Sequence, residues 1–298
     1  MAERTLNAGA TRQFASEARH PAIDALIRIV RNPVGGGSAI VLFVLIASAV
    51  VAWAGFGGDP YTSLGGRLDS PNREFLFGTD QIGRDVFARV LQGAVISLYV
   101  GFLATGLAGG LGSAVGLLSG FAGGWLDLVI QRVVDALLSI PGLVLALFFA
   151  AVFDPSTETG VLAITIAITP AVSRVIRSAV LAAKENVYVE AARTIGATPL
   201  RIMVRHVLPN VTAPILIMMS TLLGAAILIE ASLAFLGMGA QEPDPSWGVM
   251  LRSARQFMEV APWLVLAPGA AISLTVLAFN LLGDRIRDVL DPRLRGSR

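Results

Sequence analysis

The chain has no cysteine, only two histidines (His20 and His206), and a single lysine, Lys184. Without thiols there are neither disulfides nor thiolate metal sites, and two histidines argue against a histidine-built metal centre. Charge is scarce as well. Only 15% of the 298 residues are Asp, Glu, Lys or Arg, while 54% are AVILMFWYC and the mean hydropathy is +0.70. A soluble protein keeps about a quarter of its residues charged, so this composition is that of an integral membrane protein. The net charge of +2 points to no nucleic-acid partner. Sequence patterns that carry chemistry are missing too. There is no HExxH, no GxSxG and no cluster of acids inside the apolar runs, which weighs against a membrane-embedded enzyme. No GxxxxGK[ST] occurs, and no glycines lead into Lys184, so the chain has no phosphate-binding loop for ATP. No series of Asp, Glu and His crosses the apolar runs, which disfavours an ion-coupled secondary transporter.

What is present is a set of long uncharged runs, 32–58, 90–126, 136–153, 159–173, 206–229 and 260–283. A membrane helix needs about 20 mostly apolar residues. The run 136–153 is marginal, and 159–173 spans only if it continues through Arg174 and Arg177 with those side chains snorkelling. The expectation is an all-α protein of six transmembrane helices at 38–57, 94–118, 136–153, 161–183, 211–238 and 262–283. The first is not read as a cleaved signal peptide, since 37 residues precede it and no small-residue cleavage pattern comes after it. With both termini inside, 17 basic residues fall on the cytoplasmic side and 6 outside, the asymmetry expected of that orientation. The resulting organisation is a cytoplasmic tail (1–37), a first helix with an external segment (38–92), a five-helix core (93–283) and a cytoplasmic tail (284–298).

Gly112, Gly116, Gly120 and Gly124 recur every fourth residue, which would put them on one helix face. They serve either close packing of another backbone or a ligand path. Pro141, Pro170, Pro214 and Pro268 sit inside later runs and favour kinks. Glu230 is the one acid deep in an expected span. It is either a functional carboxylate or half of an ion pair with an arginine of an external loop. In the external segment, Asp80, Arg84 and Asp85 suit a structural cap with i,i+4 pairing to Arg89. In the stretch from Pro245 to Gly248, Ser246 and Trp247 either line an external vestibule or, for Trp247, anchor at the membrane interface.

The cytoplasmic loop 186–210 is the most organised stretch. Val187, Ala191 and Ile195 repeat at four, giving a short helix with an apolar stripe. Gly196 stands where a left-handed cap wants glycine. Thr198 then caps a second helix with Pro199 at its first position. Leu200, Met203, Val204, Val207 and Leu208 continue at i, i+3, i+4, i+7 and i+8, with Arg201 and Arg205 off the stripe and Pro209 ending it. By itself this is a docking surface or an amphipathic element packed on the membrane.

The same stretch resembles the EAA motif of ABC-importer permeases: EAA, three residues, Gly, nine residues, then Ile-x-Leu-Pro. It falls on Glu190, Ala191, Ala192, Gly196, Leu208 and Pro209, with His206 in place of the isoleucine, as in the peptide-importer branch. FGTDQIGRDVFARV (77–90), DALLSIPGLVLAL (135–147), SLAFLGMGAQEPDPSWGVML (232–251) and PGAAISLTVLAFNLLGDRIRDVLDPRLR (268–295) are similar to the dipeptide/oligopeptide/nickel permeases, and within them to the second permease subunit.

That resemblance implies a type I ABC importer of the bacterial plasma membrane. This subunit would pair with a homologous permease above two ATPase subunits or domains, while an extracytoplasmic solute-binding protein delivers a di- or oligopeptide. The loop 186–210 would dock on an ATPase, and ATP and Mg would be held by the ATPases, with no cofactor in this chain. Nickel-chelate, glutathione or oligosaccharide import would fit the same architecture.

Overall fold

The computed structural model describes residue 27 and residues 29–290. The expected tail 1–37 lies mostly outside the described residues, as does the chain beyond 290. Helix α1 (Pro33–Trp53) starts at Asn32, whose side chain accepts from the backbone N–H groups of Val34 and Gly35. Helix α2 (Val86–Ala122) is capped by Asp85, whose carboxylate accepts from Phe87 N–H at 2.9 Å. Then come α3 (Gly124–Leu138), α4 (Gly142–Ala150) and α5 (Thr157–Lys184), the last capped by Ser156. Two short helices, α6 (Val187–Thr194) and α7 (Pro199–Ile202), lead through a π turn (Met203–Val207) into α8 (Leu208–Phe235). Helix α9 (Trp247–Ala254) and the long α10 (Trp263–Leu290) complete the described chain. Among the described residues the only β pairing is two isolated bridges, Ser63 with Arg84 and Thr79 with Asp85.

Among the described residues five helices are long and apolar enough to cross a membrane. The expected third span, 136–153, is different. It is two helices, α3 and α4, bent by 90°. The break falls at Ser139–Pro141, where proline has no N–H to continue the ladder. Elsewhere the expected ends shift both ways: the first helix stops at Trp53 instead of 57 and the fifth at Phe235 instead of 238. The second helix begins at Val86 instead of 94, because Asp85 caps it, and the last runs on to Leu290. Pro170, Pro214 and Pro268 lie within continuous helices.

Helices α2 and α5 form the central pair, and the glycine stripe is what brings them together. A Cβ at Gly112 would lie 2.6 Å from Val172 Cβ, and one at Gly116 would lie 2.6 Å from the Ser173 carbonyl oxygen. The stripe is therefore a packing surface. Gly124 does not belong to it: with Gly123 it forms a left-handed break (φ +66° and +60°) between α2 and α3. Around this pair, α8 packs on α2, α5 and α10, and α1 lies against α2 and α10. A cluster at one end joins Leu117, Val172, Ile176 and Val180 to Val189, Ala192, Ile202 and Val207. The two short helices of the 186–210 loop are thereby seated on the core.

Candidate functional site

The loop 186–210 divides into a seated face and an open one. Val189, Ala192, Ile202 and Val207 are buried. The expected stripe is on the other side: Val187 is 80% exposed, Ile195 84%, and Ala191 stands open between them. Leu200 and Val204 extend this surface onto the next helix, both exposed. An open apolar surface of this kind marks a contact site for a protein or a membrane surface. Arg193, Arg201 and Arg205 are exposed at its margins, as is Glu190. Among the described residues Glu190 forms no ion pair, so a pairing with Arg193 is not made.

The turn between the two helices has a definite geometry. Gly196 is left-handed, φ +82°. Ala197 N–H donates to the Ala192 carbonyl at 3.0 Å, the six-to-one bond of a Schellman cap. Thr198 Oγ1 then accepts from Arg201 N–H at 3.4 Å, with Pro199 at the first helical position. Pro209 does not end the second helix. It lies in the first turn of α8, and 199–235 is one continuous span. The π turn, closed by Leu208 N–H donating to the Met203 carbonyl, sits directly before it. Proline clashes with the carbonyl four residues back, and a widened turn relieves that clash. His206 is half-buried in this turn and Leu208 half-buried at its end. The open apolar face is thus continuous with a membrane-length helix.

The segment 59–89, expected outside, holds a buried charge cluster. Arg84 Nε donates to Asp80 Oδ2 at 2.6 Å, and its Nη1 donates to Glu242 Oε2 at 3.0 Å. Arg89 Nη2 donates to Glu242 Oε1 at 3.3 Å and Nη1 to the Pro60 carbonyl at 3.1 Å. The side chains of Arg84, Arg89 and Asp80 are almost fully enclosed, so removal of one partner would strand a buried charge. The i,i+4 pairing of Asp85 with Arg89 does not form. Asp85 is occupied as the α2 cap, and burial raises its carboxyl above the usual value against the lowering pull of the Phe87 and Ala88 N–H groups. Glu242, which the sequence did not single out, is what ties the 59–89 segment to the loop before α9.

Ser246 and Trp247 have no exposed surface. Ser246 caps α9 by accepting from Val249 N–H. Trp247 packs against Gly93 and donates from Nε1 to the Val90 carbonyl at 3.0 Å. Neither the vestibule wall nor the interfacial anchor expected of Trp247 is found; it is a core residue joining α9 to α2. Glu230 is 3% exposed, and neither carboxylate oxygen has a hydrogen-bond partner. The expected ion pair with an external arginine does not form, and the carboxyl is enclosed by the chain's own atoms. Among the described residues no three His, Asp or Glu side chains gather in a way that would hold a metal.

This arrangement has counterparts among known proteins. The profile of the family described as "Binding-protein-dependent transport system inner membrane component" matches residues 112–296. The dipeptide transport system permease protein DppC of Alkalihalophilus pseudofirmus is 44% identical over 78% of this chain and 77% of its own length. The glutathione transport system permease protein GsiD of Escherichia coli is 39% identical over 90% and 89%. An inward-facing structure of the MetNI methionine ABC transporter superposes with a TM-score of 0.57 at 19% identity, covering 67% of this chain and 96% of that one. At that identity the likeness is one of fold.

Proposed function

The chain belongs to the binding-protein-dependent transport system inner membrane components, multi-pass permease subunits of ABC importers, and on that footing we propose that it imports short peptides by docking on an ATPase through 186–210. As a transport component it is not itself the enzyme of the system, and the ion-coupled carrier falls away with it. The peptide assignment rests on relatives that handle dipeptides and glutathione, itself a tripeptide. The partners are a homologous permease, two ATPase subunits or domains that bind ATP and Mg, and an extracytoplasmic binding protein. Both termini are cytoplasmic.

One observation carries the docking assignment: Val187, Ala191 and Ile195 form an open apolar stripe on a loop whose opposite face is buried in the core. Coupling then needs no flexible element. Displacement of α7 by the ATPase moves α8, because the π turn joins the two without a break, and α6 is held to α7 by the capped turn at Gly196. The test uses residues that the fold does not need. Ile195→Asp and Val187→Asp place a charge on the open stripe only, so permease should reach the membrane at normal levels. Co-purification of ATPase with permease should fall about tenfold or more, as for a truncated interface anchor. Normal ATPase retention in both variants would reject the assignment.

A further inference from the structure

Helix α3 is attached to the body by polar contacts. Of its fifteen residues only Val134 is buried. Arg177 Nε and Nη2 donate to the two oxygens of Asp127 at 2.6 and 2.5 Å, and the Ser119 hydroxyl donates to the same carboxylate. Further along, Arg174 pairs with Asp135. Arg174 stands ten residues before the end of α5, which is about 15 Å along a helix. Yet both side chains of this pair are about half exposed, 49% and 52%.

With 28 residues α5 is longer than the roughly 20 that cross a bilayer, so Arg174 stands toward its inner end. An exposed ion pair there turns to water and not to acyl chains, where bare charge costs several kcal/mol. The contrast within the molecule is direct. The open side chains of α1, among them Ile40, Phe43, Val44 and Val51, are apolar, and α1 contains no charged residue. The α3–α5 face carries both signs. An open groove of about 400 Å³ lies on it, lined by Asp127, Leu128, Gln131, Arg132, Asp135 and Arg177. Arg132 is exposed beside it and makes no ion pair among the described residues.

We propose that the α3–α5 face is a water-facing wall of the translocation path and that Arg132 with the Asp135–Arg174 pair forms a transient site for zwitterionic solutes. Arg132 receives a carboxylate, and Asp135 exchanges Arg174 for an ammonium group. The site rests on the peptide reading above for the identity of its ligand, and on exposed charge alone for its place in the path.

The cysteine-free chain permits a clean test in the assembled importer. Ser139→Cys, exposed at the end of α3, and Val44→Cys, exposed on α1, are labelled with a charged, hydrophilic thiol reagent in inside-out vesicles. Ser139→Cys should react much faster than Val44→Cys, and alanyl-alanine should slow it. Equal, slow labelling would overturn the wall, because lipid or the partner permease would then cover it. Asp135→Asn should cut alanyl-alanine uptake about tenfold, the loss of one charge-assisted contact, with permease abundance and ATPase retention measured in parallel. The swap Asp135→Arg with Arg174→Asp restores the pair in reverse order. It should restore abundance if abundance falls, and leave uptake low. Full recovery of uptake in the swap would overturn the site, leaving a structural tie. Fast labelling without protection, where uptake of alanyl-alanine is measurable, would overturn it too. Fast labelling in an importer that takes up no alanyl-alanine would instead fault the peptide reading.

Discussion

At the scale of single residues, Gly196 shows the most direct route from sequence to function. Its φ of +82° is one that L side chains avoid, and nothing lies within 4 Å of where its Cβ would be. The objection to a side chain is therefore conformational and not steric. A β-branched residue pays roughly 1–2 kcal/mol there, whereas asparagine tolerates the left-handed region. Gly196→Val should reduce ATPase co-purification and uptake, and Gly196→Asn should retain most of both; equal loss in the two would show that the turn matters for some reason other than φ. This position was legible because a Schellman cap is local, written in five or six consecutive residues. Glu242 was not. Its partners Arg84 and Arg89 lie 158 and 153 residues away in the chain, and no spacing rule reaches that far. Trp247 was legible as notable and illegible in role, since hydropathy does not tell a buried indole from one at the membrane interface.

At the scale of elements, hydropathy located the spans but not their breaks. The run 136–153 reads as one marginal span because composition ignores direction, and the 90° bend between α3 and α4 is a matter of direction alone. Likewise Pro209 reads as a stop, yet the π turn before it lets the helix continue. The glycine stripe serves packing, one of the two roles its spacing allows, and it makes a prediction at this scale. A side chain at Gly116 would meet the Ser173 backbone at 2.6 Å, while at Gly106 nothing stands within 4 Å. Gly116→Leu should force α2 from α5, costing more than the ~1–3 kcal/mol of ordinary overpacking because the obstacle is backbone. Gly106→Leu should be silent. Permease abundance in membranes and resistance to limited proteolysis in detergent would separate the two, and equal behaviour would remove the stripe's role.

For the molecule as a whole, the arginine asymmetry gives an orientation that side-chain labelling can check. Arg73 is exposed in the external segment and Ile195 on the docking face. With the cysteine-free chain as background, Arg73→Cys should react with an impermeant maleimide in right-side-out vesicles. Ile195→Cys should react only after permeabilisation. The opposite pattern would invert the topology and with it the assignment of the docking face. The broad architecture was legible from composition, charge placement and motif order together. What closes its two ends, the buried Asp80–Arg84–Arg89–Glu242 cluster at one and the seated 186–210 loop at the other, emerged only once the chain was folded.

The π turn sets one further condition on the molecule. A π turn amounts to an α-helix carrying one surplus residue, and each residue of an α-helix rotates the downstream chain by about 100°. The angular phase between the open stripe of the loop and the faces of α8 that pack on α5 and α10 is therefore fixed by the residue count of 203–207. Shortening this turn by one residue, together with Pro209→Ala, would close it to an ordinary helix with that phase preserved. Lengthening it would spin the docking face away from its partner while every helix stayed intact. Tolerance to insertions and deletions along this segment is thus asymmetric, a gear-like constraint that substitution alone would never expose.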